Sequence, residues 1–312
     1  MKVLVVILNK NNAESLRRCL NSLIKQRCKI CQEFDVLVMD GGSSDDSREV
    51  TLKFSRDYPC IKFKVQEIIG GTGFARREAC IYALERGYDV VIWGDSENEY
   101  DESYIEEVLK KLKKCDVVGG IPEVNGDFFG HAFAWYHAIH LIIPKLYRVH
   151  IPGNNRAEKT FIYRKVIYPT SIRAEDYGFS ILLLKKGIRL EQCVANALVR
   201  VSLPRTLRDV LSWQEIRARG VAQTLKEIEF GPWDLLAWSS ILALLIIFLV
   251  ISLISPLPLA IYMSILILIS IYLYIRSIQF IKKPKIIYAL APLIGIMIYS
   301  FYSIKALIYY LR

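Results

Sequence analysis

Two acids separated by one residue, Asp95-Ser96-Glu97, follow the apolar run Asp89–Trp93. Carboxylates so placed at a strand end can approach one divalent cation. Mg2+ or Mn2+ prefers such oxygen ligands and bridges to a diphosphate. A D-x-E triplet is common, and Glu99, Asp101 and Glu102 follow it, so a solvated acidic turn is the plain alternative. Glu175-Asp176 heads a second apolar run, Phe179 and Ile181–Leu184, at or near a helix N-terminus. A carboxylate is stabilised there. It serves either as a cap or as a base at a pocket edge that deprotonates a hydroxyl nucleophile. Asp40-Gly41-Gly42-Ser43-Ser44-Asp45 offers acceptor oxygens on a permissive backbone, suited to a base or ribose. Gly73-Phe74-Ala75-Arg76-Arg77 sets cations at the start of a helix, where phosphate is favoured. Arg76 serves equally well as a surface ion-pair partner.

These residues need a frame. Val3–Leu8 is a β-branched run, read as a strand buried on both faces rather than a signal segment, because six apolar residues are too few. Leu16, Leu20, Leu23 and Ile24 recur at helical spacing. Strands are expected at Phe34–Met39, Ile61–Ile69, Tyr88–Trp93 and Asp116–Gly119. Helices are expected to about Tyr58, over Phe74–Glu85 and over Asp101–Lys114. Repeated βα units imply a mostly parallel sheet covered by helices, with ligands at the carboxyl ends of its strands. Asn11, Asp40 and Asp95 all fall just past such ends. No G-x-S-x-G, no P-loop and no G-x-G-x-x-G after the first strand is present. Nucleophilic hydrolases, P-loop NTPases and dinucleotide oxidoreductases lose their usual support. Seven cysteines, an odd number, argue against a disulfide framework and for a reducing compartment, and Cys28-x-x-Cys31 lacks a second pair for zinc. His131, His137, His140 and His150 lie in an aromatic-rich stretch and are read as packing or lipid-facing.

The chain has 312 residues, 53% of them hydrophobic, and a formal net charge of +10. Its mean hydropathy of +0.28 is concentrated at one end. Residues 231–312 hold one acid, Asp234, and six cations. Three stretches, 235–255, 259–275 and 286–304, are read as membrane spans. A helix of 21 residues is about 31 Å long. Arg276, Lys282, Lys283 and Lys285 crowd the connector after the second stretch, which marks it as cytoplasmic. Counting back two crossings places residues 1–230 on the cytoplasmic face of the cell membrane. Residues 206–230 mix Leu207, Val210, Leu211, Ile216 and Val221 with Arg205, Arg208, Arg217 and Arg219. They read as amphipathic interface helices, or equally as a helix covering the domain. No basic run with interleaved aromatics favours nucleic acid.

Together the motifs stand in a familiar order. VVILNKNNAESLRRCLNSL, VLVMDGGSSDDS, GTGFARREA, VVIWGDSENEY, GNNRAEKTFIYRKV, AEDYGFSILLLKKG and WQEIRARG resemble the ordered segments of the inverting glycosyltransferases of family 2. That family includes dolichyl-phosphate sugar synthases and cellulose-synthase-like enzymes. The resemblance covers about 1–225. It implies an α/β fold: a Rossmann-like GT-A catalytic domain over 1–205, interface helices over 206–230, and an all-α transmembrane region over 231–312. It also implies a nucleotide-sugar donor, Mg2+ or Mn2+, and a lipid or lipid-linked acceptor such as a polyprenyl phosphate. By this resemblance Asn11, Asp40, Gly73, Arg76 and Asp95 bind the donor, and Asp95 and Glu97 hold the metal. Asp176, with Glu175, is the catalytic pair. Asn154, Gln214, Arg217 and Arg219 face the acceptor or its phosphates. Glu97 replaces the family's second Asp, and Ala218 stands where Trp is usual, which counts against a processive polymer synthase. A nucleotide-binding membrane scaffold or pseudo-enzyme is the competing expectation.

Overall fold

The computed structural model describes residues 1–312. In chain order the strands are β1 (Val3–Asn9), β2 (Asp35–Asp40), β3 (Ile61–Val65), β4 (Val90–Asp95), β5 (Asn98–Tyr100), β6 (Val117–Val124), β7 (Arg156–Lys159) and β8 (Gln192–Val201). The helices are α1 (Ala13–Ile24), α2 (Ser47–Asp57), α3 (Thr72–Glu85), α4 (Tyr104–Leu112), α5 (Phe128–His137), α6 (Ile139–Ile142), α7 (Glu175–Lys185), α8 (Leu207–Glu227), α9 (Trp233–Ile251), α10 (Leu257–Ser277) and α11 (Ala291–Leu311). The chain forms two compact units. The first is Met1–Glu123 with Ile143–Ser202, and the second is Val124–Ile142 with Leu203–Arg312.

In the first unit the sheet order is β3-β2-β1-β4-β7-β6-β8-β5. β3, β2, β1 and β4 run parallel, as βα repeats require, and β7 continues the sheet antiparallel to β4 and to β6. Every residue of β1 is buried. Val3, Val5 and Ile7 feed one core with Leu16, Leu20 and Leu23 of α1, while Leu4, Val6 and Leu8 feed the opposite core with Ala75, Ala79 and Ala83 of α3. That two-sided alternation explains why β1 reads as an unbroken apolar run. Each fully buried Val or Leu contributes ~1.5–3 kcal/mol. The register aligns Asn9 with Asp40 and Leu8 with Asp95, so the three polar strand ends share one edge.

Several expectations shift. β3 stops at Val65 instead of reaching Ile69, because its partner β2 ends at Asp40, whose carbonyl accepts the last rung from the Gln66 N–H. β7 is the charged segment RAEK, and nothing in its composition announces a strand. The disulfide expectation is overturned: Cys31 pairs with Cys60 and Cys115 with Cys193. Both pairs join segments leading into neighbouring parts of the sheet, across 29 and 78 residues, so counting along the chain could not find them. Cys28, left unpaired and buried, does not act with Cys31. The odd count therefore gives no argument for a reducing compartment. Intracellular proteins of hyperthermophiles carry such bridges as well.

The second unit is helical. Within residues 206–230 there is a single long helix, α8 (Leu207–Glu227), capped by Thr206, whose hydroxyl accepts from the Asp209 N–H. Three helical segments, Trp233–Ile251, Leu257–Phe280 and Ile286–Leu311, are long and apolar enough to cross a membrane. α5, with the sequence FFGHAFAWYH, belongs to this unit.

Candidate active site

At the shared strand edge, Asp40 is buried and its carboxylate is already engaged. It accepts from Asn9 Nδ2 at 2.8 Å, from the Ser43 N–H at 2.7 Å and from the Ser43 hydroxyl at 2.6 Å. Asn9 and Ser43, not singled out from the sequence, are thus the partners that fix the Gly41–Ser44 turn. Asn11, at φ 49°, stitches the same turn: its N–H donates to Ser43 Oγ and its Oδ1 accepts from the Ser44 N–H. Asp40 therefore shapes the loop, and the loop presents the open surface.

Asp95 ends β4 half-buried, and Glu97 follows it on the solvent side, accepting from Asn12 Nδ2 at 3.1 Å. Although Glu97 keeps solvent access, crowding by the surrounding protein and the Asp95 charge push its carboxyl up to about 7, against the opposing pull of Arg173 and Asn12. No group of three His, Cys, Asp or Glu is disposed to hold a metal. Two mutually repelling carboxylates fit a divalent cation that takes its remaining oxygens from a diphosphate and water, as Mg2+ and Mn2+ do.

Behind this edge lies a buried cation. Arg76 Nε donates to Glu175 Oε1 at 2.7 Å, with both side chains almost wholly enclosed. The Arg76 guanidinium stacks over Trp93 at 4.7 Å, and its Nη1 is buried with no partner. Burial acts against its charge, but Glu175, Asp95 and Asp176 all raise its pKa, so it stays a cation. Glu175 Oε2 also accepts from Thr72 Oγ1. Glu175 is therefore an anchor for Arg76 and α3, with each of its oxygens engaged. Gly73 makes a close approach: its N–H donates to the Ser171 carbonyl at 3.0 Å, and a Cβ there would collide with the backbone of residues 169 and 171. That N–H is spent on packing and is not open to phosphate.

Asp176, in the first turn of α7, accepts from the Gly153 N–H at 2.7 Å and from the Tyr177 N–H at 2.9 Å. Burial acts to raise its carboxyl, but His150, Arg76 and these two N–H groups hold it below the ordinary carboxylate range. His150 is the exception among the histidines. It is half-buried in the first unit, its Nδ1 lies 3.0 Å from Ser180 Oγ, and it interacts electrostatically with Asp176. Burial depresses its own pKa. His131 and His137 pack in the second unit, the former against Tyr274 and Tyr288 and the latter against Trp213. Asn154 is half-buried, and its carbonyl accepts from Asn98 Nδ2 at 2.7 Å, which leaves its side chain out of that contact.

A polar network escaped the sequence reading. Glu158 and Arg156 of β7 are fully buried and paired at 2.9 Å. Glu158 also accepts from Trp93 Nε1, Tyr163 Oη and Tyr168 Oη. Arg156 lies over Phe179 of α7 at 5.1 Å. The pair thus braces β4, which carries Asp95, and α7, which carries Asp176. Its only sequence signal was an R-x-E within the polar run NNRAEKT.

Gln214, Arg217 and Arg219 stand on α8 in the second unit. Arg217 is buried; its Nε donates to Gln214 Oε1 at 2.8 Å, its guanidinium lies 4.0 Å from the Tyr299 ring, and its Nη2 has no partner. Arg219 is exposed and pairs with Glu215 at 3.0 Å.

The family model described as glycosyl transferase family 2 matches residues 4–169. An undecaprenyl-phosphate mannosyltransferase of Micrococcus luteus is 27% identical over 199 residues, which is 61% of this chain and 79% of that protein. The mannosyltransferase PcManGT from Pyrobaculum calidifontis, solved with GDP-Man and Mn2+, superposes with a TM-score of 0.59 at 15% identity, over 99% of this chain and 86% of that one. Glucosyl-3-phosphoglycerate synthase from Mycobacterium tuberculosis superposes at 0.54 with 14% identity, over 74% and 81%. The likenesses to solved structures establish the GT-A fold of the first unit. With the family model matched over more than half of its length, the chain belongs to glycosyltransferase family 2.

Proposed function

We propose that the protein is a membrane-anchored, inverting, metal-dependent transferase. It moves a sugar from a nucleotide sugar to a lipid or lipid-linked acceptor, with a polyprenyl phosphate as the first choice. One observation carries this reading: the buried Arg76 guanidinium pairs with Glu175 at 2.7 Å and shares the close approach at Gly153 with Asp176, while the Asp95 charge at the strand end acts on it too. Asp95 and Glu97 would hold Mg2+ or Mn2+, whose charge offsets that of the departing diphosphate. The loop fixed by Asp40 and Asn11 would receive the nucleoside. Asp176 has both oxygens engaged and a depressed pKa, so it is better suited to orienting an acceptor than to taking its proton. An acceptor phosphate is already ionised at neutral pH and needs no base, which supports a lipid phosphate over a hydroxyl. The Micrococcus luteus relative acts on undecaprenyl phosphate and transfers mannose by its name, and PcManGT is bound to GDP-Man, so GDP-mannose is the first donor to try.

The cationic connector after α10 supports a cytoplasmic site. Its Lys282 N–H donates to the Val124 carbonyl and its Lys285 N–H to His131 Nε2, and Val124 directly follows Glu123 of the catalytic unit. The connector's charge points to the cytoplasmic side, and two crossings before it would return the residues ahead of α9 to that same side.

The test is transfer by the detergent-purified protein, with GDP-, UDP- and CMP-sugars, with Mn2+, Mg2+ or EDTA, and with or without polyprenyl phosphate. Metal-dependent turnover stimulated by the lipid is expected. If no donor binds under any condition, the transferase reading fails and the scaffold takes its place.

A further inference from the structure

The third apolar helix is tied at both ends to charged segments on one side of the membrane. Its N-terminal end follows the connector with Lys282, Lys283 and Lys285, and its Leu293 N–H donates to Ser270 Oγ, in the C-terminal half of α10. Its middle meets the start of α9, where Tyr299 packs on Trp238 with ring centroids 4.7 Å apart. Near its C-terminal end Lys305 forms an ion pair with Glu215 of α8, and the Tyr309 hydroxyl donates to the same carboxylate at 2.6 Å. Arg219 of α8 lies over the Tyr309 ring.

α8 cannot sit in hydrocarbon. It exposes Arg208, Asp209, Arg219, Lys226 and Glu227, and each such charge costs ~2.5–3.5 kcal/mol at the bilayer centre. It also precedes α9 by only a short link, so it lies on the side from which α9 starts. The hairpin α9–α10 returns the chain to that side. An α11 that crossed would carry Tyr309 about 24 Å from Leu293, towards the far leaflet. Its contacts with Glu215 and Arg219 place it instead level with α8.

We infer that α11 does not cross the membrane but lies in the headgroup plane of the leaflet beside α8, turning an apolar stripe to the acyl chains. The stripe is Ile294, Met297, Phe301, Ile304, Ile308 and Leu311, which recur at helical spacing on one face. Ile294, Phe301, Ile308 and Leu311 are exposed, whereas Gly295, Ile296, Tyr302, Ser303 and Ala306 on the opposite face are buried against the unit. Such a helix, apolar on one side and held by charges on the other, is the form that binds a lipid surface in plane. The occupant of the stripe is therefore the lipid leaflet itself. Two crossings, not three, anchor the chain, and its C-terminus lies on the connector's side.

The inference rests on the membrane anchoring proposed above, and the experiment separates the two. Single variants Ser255→Cys in the α9–α10 turn, Lys282→Cys in the connector and Arg312→Cys at the C-terminus are made in the full-length protein in sealed vesicles. A membrane-impermeant maleimide is then applied from either side; the native free thiols Cys19, Cys28 and Cys80 are buried. The expected result is labelling of Arg312→Cys and Lys282→Cys from one side and of Ser255→Cys from the other. Labelling of Arg312→Cys together with Ser255→Cys would overturn the in-plane helix while leaving the anchor intact. Labelling of all three from one side would overturn the hairpin, and the in-plane helix with it. Spin labels at Ile294, Phe301 and Ile308 give a second readout. An in-plane helix sets all three at one shallow depth, whereas a crossing helix makes Phe301 the deepest.

Discussion

Glu175 and Arg76 exchange charge where water hardly reaches, and this makes the pair fragile to change on one side only. Glu175→Gln leaves the guanidinium enclosed with no counter-charge. Removing one partner of a buried pair costs ~3–5 kcal/mol. We expect that loss in chemical denaturation of the detergent-solubilised protein; a change under ~1 kcal/mol would mean that Asp95 or Asp176 takes over the pairing. Asp176 makes the opposite kind of prediction. Its carboxyl is held below the ordinary range by His150, Arg76 and two N–H groups. A carboxylate depressed in the folded state adds stability above its unfolded pKa, near 4, and loses it as pH falls through the folded value. It is thus ionised throughout pH 5–9, and the rate of transfer should show no acid limb from Asp176 in that window. Asp176→Asn leaves one of the Gly153 and Tyr177 N–H groups without its acceptor, at a cost of ~1–3 kcal/mol, and should slow transfer without moving the pH profile. An acid limb near pH 6 that vanishes in this variant would restore the base assignment. The identities of these residues were legible in the sequence, but their pairings were not. Arg76 and Glu175 lie 99 residues apart, so the ion-pair alternative for Arg76 had no partner that the sequence could name.

At the scale of elements, the site depends on how closely the turn before β7 approaches α7. Gly153 stands there: a Cβ would come within 2.7 Å of Arg76 Nη2 and 3.0 Å of Asp176 Cβ. Gly153→Ala must therefore push Arg76 or Asp176 aside. A misplacement of about 1 Å can cost ~10²-fold in rate. We expect kcat to fall by that order while donor affinity, measured by titration calorimetry, changes little; loss of both alike would mean that the turn holds the donor instead. The two disulfides tie the same unit. By the chain-entropy relation, loops of 29 and 78 residues gain ~3.5 and ~4.5 kcal/mol on closure. A reductant should accordingly lower the melting temperature of the protein, and Cys31→Ser with Cys60→Ser should reproduce part of that shift without reductant. β1, α1, β2 and α3 were legible because their apolar periods are set by burial on known faces. β7 was hidden because Arg156 and Glu158 satisfy each other inside the core, so a fully buried strand reads as a polar loop. β5 has three residues and no period to read. The assignment of 124–142 to the second unit follows from long-range packing of aromatic residues, which local pattern does not carry.

For the whole molecule, dimensionality separates the two substrates. On the proposed function, a catalytic unit joined to apolar helices would meet a lipid acceptor on a surface and a nucleotide sugar in solution. The two substrates should then obey different concentration scales. In vesicles of fixed enzyme content, diluting a polyprenyl phosphate with inert phospholipid lowers its surface fraction while its bulk concentration is kept constant. If the acceptor is lipid-bound, the rate should fall in proportion to the mole fraction of acceptor at subsaturating levels, and the apparent KM for the nucleotide sugar should stay unchanged. Adding more vesicles of the same composition should leave the initial rate per enzyme unaltered. A soluble acceptor predicts the reverse, a rate that follows bulk concentration and ignores the added phospholipid. The buried Arg217 sharpens the comparison. Its Nη2 has no partner within the protein and its only charge-assisted bond is to the neutral Gln214, so a phosphate is the kind of group that would complete it. Arg217→Lys, which keeps the charge but loses the planar fork, should raise the surface fraction of acceptor needed for half-maximal rate without altering donor binding. If instead it weakens the nucleotide sugar alone, Arg217 serves the donor diphosphate, and the surface-dilution profile will remain that of the unmodified protein.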